Sequence, residues 1–102
     1  MSCIVAAFFF QLELPEMSDS IAAVIPVHRL HINKLFAEGR ILSYSVSMGR
    51  NMIWVVINAE DEQEANELIL SFPLCPHFTE VVCTPLLFHN TLPATMPGMS
   101  LN

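Results

Sequence analysis

The chain reads as an α+β domain of the ferredoxin-like βαββαβ type, paired with a second copy as a dimeric α+β barrel. Three observations predict this. Four β-type runs and two helical ones follow each other as strand, helix, strand, strand, helix, strand, the split βαβ pattern. The first and third strands are apolar on both faces, whereas a sheet face left in water would read polar. And 102 residues of which 53% are hydrophobic make one small domain with a limited interior, so part of the apolar surface calls for cover from outside it.

Residues 3–14 alternate, with Ile4, Ala6, Phe8, Phe10 and Leu12 on one face and Val5, Ala7, Phe9, Gln11 and Glu13 on the other, which predicts a strand. Pro15 closes it. The apolar run from Cys3 to Phe10 has no basic flank and passes directly into Gln11 and Glu13, so it reads as strand rather than as a leader peptide. A helix falls between Asp19 and Glu38, with Gly39 as its stop. Pro26 is either the first-turn proline of a helix starting near Ile25 or a break within a longer one. Residues 41–48 and 52–59 are β-type runs joined by Gly49-Arg50-Asn51, a hairpin signal. Asp61 and Glu64 have the spacing of a capping pair for a second helix, and Ala65, Leu68, Ile69 and Phe72 form its buried stripe. Pro73 ends that helix, and residues 79–87 make the last strand. The domain is thus expected over residues 1–89, with residues 90–102 as a C-terminal tail without periodicity.

Composition excludes several functions. The net charge is −6, and Arg29, Lys34, Arg40 and Arg50 are the permanent cations. They form no basic patch with interleaved aromatics, so nucleic acid has no electrostatic footing. Glu60, Asp61, Glu62, Glu64 and Glu67 read as a solvated helix face. Cys3, Cys75 and Cys83 show no CxxC spacing, which argues against a disulfide framework or a zinc site and for reduced thiols in the cytoplasm. No run is long enough to span a membrane. Glycine-rich phosphate loops and serine elbows are absent.

His28 is the sharpest candidate for chemistry. At about 100° per residue, it lands among Ile21, Val24, Ile25, Ile32 and Leu35 on the apolar stripe of the first helix. Desolvation there keeps an imidazole neutral, as a general base requires; the competing reading is a packed core histidine. His31, one turn on, stands at the edge of the same sector, as a ligand contact or a subunit contact. Two histidines without a nearby carboxylate do not make a metal site. Tyr44 lies on a central strand and can donate a proton, or simply pack. His77, in the turn before the last strand, is a pocket residue or a loop residue. Phe8, Phe10, Ile32 and Trp54 complete the expected substrate-contacting set with His31.

The stretch Phe72-Pro73-Leu74-Cys75-Pro76-His77-Phe78, continued by Glu80-Val81-Val82-Cys83-Thr84-Pro85-Leu86, resembles the C-terminal third of the muconolactone isomerase family. Ala37-Glu38-Gly39 and the Gly49-Arg50-Asn51 hairpin occupy corresponding places. The resemblance implies a ferredoxin-like fold built into dimers and larger rings, with the tail of residues 90–102 contacting a neighbouring subunit, and a place in aromatic catabolism. It also implies cofactor-free proton transfer within a small unsaturated lactone or carboxylate. In such a mechanism the residues of this chain that would serve are His28, moving the proton, and Tyr44 or His77, binding the developing oxyanion. The family's charged first helix and its Trp/Arg-bearing second strand are replaced here by Ile25-Pro26-Val27-His28-Arg29-Leu30-His31 and Ile41-Leu42-Ser43-Tyr44-Ser45-Val46. Pro26-x-His28 with Gly39 is similar instead to the YCII-related family, which shares the fold. Two other readings remain open at this point: a non-catalytic small-molecule-binding module, and a cofactor-independent monooxygenase of the dimeric barrel class.

Overall fold

A computed structural model describes residues 6–90. Its elements run β1 (Ala6–Glu13), α1 (Asp19–Ala37), β2 (Ile41–Val46), β3 (Met52–Ala59), α2 (Glu62–Leu70), a 3-10 turn (Cys75–His77) and β4 (Glu80–Leu86). The strands form one antiparallel sheet in the order β2-β3-β1-β4, the ferredoxin-like arrangement in which the two central strands come from the two βαβ halves. Residues 3–5 of the expected first strand and all but the first residue of the expected tail lie outside the described residues.

Local chemistry sets the element boundaries. Ser18 caps α1, its hydroxyl accepting from the Ile21 amide at 3.3 Å, so the helix begins well before Pro26. The proline therefore sits inside a 19-residue helix. It lies on the solvent side and removes one donor from the helix ladder. Gly39 leaves the helix at φ 75°, the left-handed conformation that favours glycine. Asp61 caps α2 by accepting from the Glu64 amide at 2.8 Å, and Glu64 Oε1 accepts in return from the Glu60 amide at 2.9 Å. This variant of the capping box satisfies two backbone donors at the helix start.

Register separates the two sheet faces. Phe8, Phe10 and Leu12 of β1 pair with Ile57, Val55 and Ile53 of β3, and all six belong to the buried core. Ile21, Ile32 and Leu35 of α1 and Ala65, Leu68 and Ile69 of α2 pack onto that same face. Phe10 is 0% exposed and lies at the centre of this layer. The opposite face presents Phe9, Trp54, Val56, Val82 and Leu86, and both helices lie away from it.

Candidate active site

A single irregularity in β2 brings the two central polar groups together. In an unbroken strand, residues 41 and 44 would point to opposite faces. Here Ile41 opposes Ile57 and Tyr44 opposes Val55, while the chain slips one residue between Ile41 and Ser43. That bulge restores the inward phase. Ile41 is buried at 2% exposure, and Tyr44 comes to lie beneath α1.

There it meets His28, which shares the buried stripe of α1 with Ile21, Ile32 and Leu35 and is itself 2% exposed. His28 Nε2 and Tyr44 Oη are 2.8 Å apart. The edge of Phe72 packs against the imidazole, with centroids 5.5 Å apart and the rings near perpendicular. The other ring nitrogen, Nδ1, is buried and has no hydrogen-bond partner among the described residues. A buried orphan acceptor costs less than a buried orphan N–H, so the favoured tautomer carries its hydrogen on Nε2. That N–H then donates to Tyr44 Oη. The Nδ1 lone pair is left free, and the tyrosine O–H is left to donate elsewhere.

Burial, reinforced by the nearby His31 charge, lowers the His28 pKa from 6.5 to about 4. Burial alone raises Tyr44 from 10.0 to about 12. Both groups are therefore neutral at pH 7: one is an unprotonated imidazole, the other a hydroxyl that keeps its hydrogen.

The pair stands in the wall between two cavities. The larger, about 460 Å³, opens between the N-terminal half of α1 and the β2–β3 hairpin. Leu14 and Met17 line it from the β1–α1 connection, Ile21, Ile25, His28 and Arg29 from α1, and Tyr44 and Val46 from β2. Arg50, Ile53 and Leu74 close it. The smaller, about 200 Å³, lies further along α1 against Ile32, Asn33 and Phe36, and shares His28, Arg29 and Tyr44 with the first.

The other expected site residues are placed differently. Ile32 lines the smaller cavity. His31 lines neither; its Nε2 lies 3.0 Å from Ser71 Oγ, which itself donates to the Leu68 carbonyl. Phe8 and Phe10 are consumed by the core, at 5% and 0% exposure, because their register points them under the helices. Trp54 pairs with Gln11 and Ser45, on the sheet face away from His28. His77 ends the 3-10 turn and belongs to neither cavity. Cys75 and Cys83 have thiol pKa values raised by burial, with Glu62 adding to the shift at Cys83, which disfavours nucleophilic thiolates. Among the described residues no group of three or more His, Cys, Asp or Glu side chains is placed to hold a metal, and no helix is long and apolar enough to cross a membrane.

Arg29 and Arg50 are the functional candidates that sequence reasoning passes over. A lone arginine on a helix flank or a hairpin tip has the same signature as a solvated surface charge. The one available hint is the placement of Arg50 in a Gly-Arg-Asn turn directly before an inward-facing strand.

No protein-family model matches the chain, and no curated protein is similar to it in sequence at a significant level. Solved structures do resemble it. 5-Chloro-2-hydroxyhydroquinone dehydrochlorinase (TftG) from Burkholderia phenoliruptrix AC1100, in complex with 2,5-dihydroxybenzoquinone, superposes with a TM-score of 0.56 at 13% identity, covering 76% of this chain and 90% of that one. The structure of PH0061 matches with a TM-score of 0.44 at 16% identity over 85% of this chain and 56% of that one. At such identity the first likeness establishes the shared ferredoxin-like fold.

Proposed function

We propose that the chain is a cofactor-free proton-transfer isomerase acting on a small unsaturated lactone or carboxylate, in the manner of muconolactone isomerase-like proteins. The observation that carries this reading is the 2.8 Å His28–Tyr44 pair in the wall of a largely apolar cavity of about 460 Å³. A volume of that order suits a one-ring ligand. Neutral His28 takes a proton from the carbon alpha to the ligand carbonyl on its free nitrogen. The electron pair moves into the conjugated system as a dienolate, and the Tyr44 O–H donates a hydrogen bond to its oxygen. His28 then returns the proton at the vinylogous carbon, so one C–H bond breaks, one forms, and the imidazole is neutral again. Nδ1 is closed to water in the free chain, so binding has to turn the ring enough to present that nitrogen to the ligand.

The low pKa of His28 makes it a weak base in isolation. Negative charge developing on the adjacent dienolate favours the imidazolium and offsets part of that deficit as the proton moves. This is why a neutral hydroxyl beside the base matters: it stabilises the dienolate without adding a charge of its own.

The test is to incubate the protein with a β,γ-unsaturated butenolide and follow the rise in ultraviolet absorbance as the double bond comes into conjugation with the carbonyl. Turnover that His28→Ala abolishes supports the isomerase. Ligand binding without turnover in the parent protein favours a binding module, and oxygen uptake with a quinol favours the monooxygenase reading.

The assembly belongs to the same proposal. Phe9, Trp54, Val56, Val82 and Leu86 give the helix-free sheet face an apolar group of side chains among Gln11, Ser45, Asn58 and Thr84, and a second copy of that face would meet it through a two-fold axis. Trp54→Glu is expected to shift a dimer towards monomer in analytical ultracentrifugation. A parent protein that sediments as a monomer at all concentrations contradicts this part.

A further inference from the structure

The larger cavity has a charge pattern that proton transfer alone does not explain. The chain has ten carboxylate residues and four permanent cations; two of those cations, Arg29 and Arg50, line this cavity and no carboxylate does. The remaining polar lining consists of His28 and Tyr44. Among the described residues neither guanidinium has an ion-pair partner. Of the acids on the adjoining connection, Glu13 accepts a hydrogen bond from Thr79 Oγ1 at 3.1 Å, while Glu16 and Asp19 are exposed and outside the lining.

Arg50 adds a second, independent observation. Its φ is 63°, in the left-handed region where glycine or asparagine sits with less strain. Gly49, one residue earlier, is not in that region; a Cβ there would come within 3.1 Å of Asn51 Oδ1. The hairpin therefore places its glycine for close approach and carries an arginine at the strained position. A side chain held in a disfavoured backbone conformation and aimed at a cavity is a pattern that accompanies ligand clamps.

We infer that the ligand of this cavity is a small anion, a carboxylate or an oxyacid of similar charge, whose charged end is held by Arg29 and Arg50 while its unsaturated body lies against Ile21, Ile25, Val46 and Ile53. This rests on the reading of the cavity as a ligand site and names the class of ligand it takes. A chain of net charge −6 repels anions at long range, so a local pair of cations on an apolar wall is what makes anion entry favourable there. Guanidinium groups match a carboxylate fork geometrically. A neutral ligand has no use for either arginine, and an unpaired carboxylate in an apolar cavity would be strongly disfavoured. The arginines bind and orient; the proton moves at the other end, at His28 and Tyr44. Their removal should thus raise KM far more than it lowers kcat.

The test titrates the full-length ¹⁵N-labelled protein with 4-hydroxybenzoate and with its neutral isostere 4-hydroxybenzamide, at low salt, following amide shifts. The acid is expected to bind at least about tenfold tighter than the amide. Arg29→Gln and Arg50→Gly should each cut that preference to about threefold or less, with the variants melting no lower than the parent, and Lys34→Gln, outside both cavities, should leave it intact. Equal binding of acid and amide, or a preference that survives in the Arg29→Gln/Arg50→Gly double variant, overturns the anion assignment. If equal binding is accompanied by shifts at Ile25 and Tyr44, the cavity remains a ligand site and only the charge preference falls. If neither probe perturbs the cavity residues at millimolar concentration, both readings fall together.

Discussion

His28 and Tyr44, sixteen residues apart on different elements, hold each other at 2.8 Å in a site that keeps both neutral. The imidazole is nearly inaccessible, and its second nitrogen is an orphan. A buried polar group left without a partner costs about 1–3 kcal/mol. A purely structural residue at this position would more cheaply be a leucine.

Tyr44→Phe leaves His28 with two unpartnered nitrogens and is expected to cost about 1–3 kcal/mol in urea unfolding. His28→Leu removes the orphan along with the bond and is expected to be nearer neutral. The double variant should recover part of the Tyr44→Phe loss, giving a coupling of about 1 kcal/mol or more. Additive effects would mean that the hydrogen bond contributes nothing to stability.

Acid lowers stability through His28 in a defined window. The unfolded imidazole binds a proton below its ordinary pKa of 6.5, while the folded one resists until about 4. The contribution is therefore complete above pH 6.5 and declines as pH falls, and its loss is complete below pH 4. It amounts to about 3 kcal/mol at most. Equilibrium unfolding of the parent and of His28→Leu across pH 4–7 isolates it from the carboxylates, and the variant should show the shallower decline.

Much of this arrangement was legible from residues alone, and the gaps have physical causes. The β-type run of residues 52–59 matches β3, because its branched and aromatic residues suit a strand. Ala65, Leu68 and Ile69 match the buried side of α2, with Phe72 buried just beyond its end, because burial on one face of a helix imposes a period. His28 fell on the apolar sector of the first helix for the same reason. Pro26 left two helix starts open, since a proline is tolerated both at a first turn and on a solvent-facing interior turn; the Ser18 cap decided between them. The second strand ends earlier than its pattern, at Val46. Ser47 Oγ accepts there from the amides of Asn51 and Met52, which draws the chain into the turn. The meeting of Tyr44 with His28 was not legible, because strict alternation from Ile41 points Tyr44 the wrong way.

That dependence on the bulge is open to direct test. Deleting Leu42 should remove the extra residue and leave a regular strand in which Ile41, Ser43 and Tyr44 still oppose Ile57, Val56 and Val55, so Tyr44 keeps its inward direction. The expected outcome is a folded protein with native-like far-ultraviolet dichroism and retained Tyr44–His28 nuclear Overhauser contacts. Loss of those contacts would show that Leu42 does more than supply the extra residue that sets the phase of Tyr44.

Solvent-deuterium incorporation tests the central claim most directly. A β,γ-unsaturated butenolide turned over in D₂O and read by proton NMR should carry deuterium at the vinylogous carbon of the product with the parent protein, in the fraction of turnovers in which the imidazolium exchanges with solvent before it returns its proton. His28→Ala should give no incorporation above the uncatalysed background, and Tyr44→Phe should slow it by about a hundredfold. Undiminished exchange in His28→Ala, or turnover of that variant at the parent rate, would contradict proton transfer through His28.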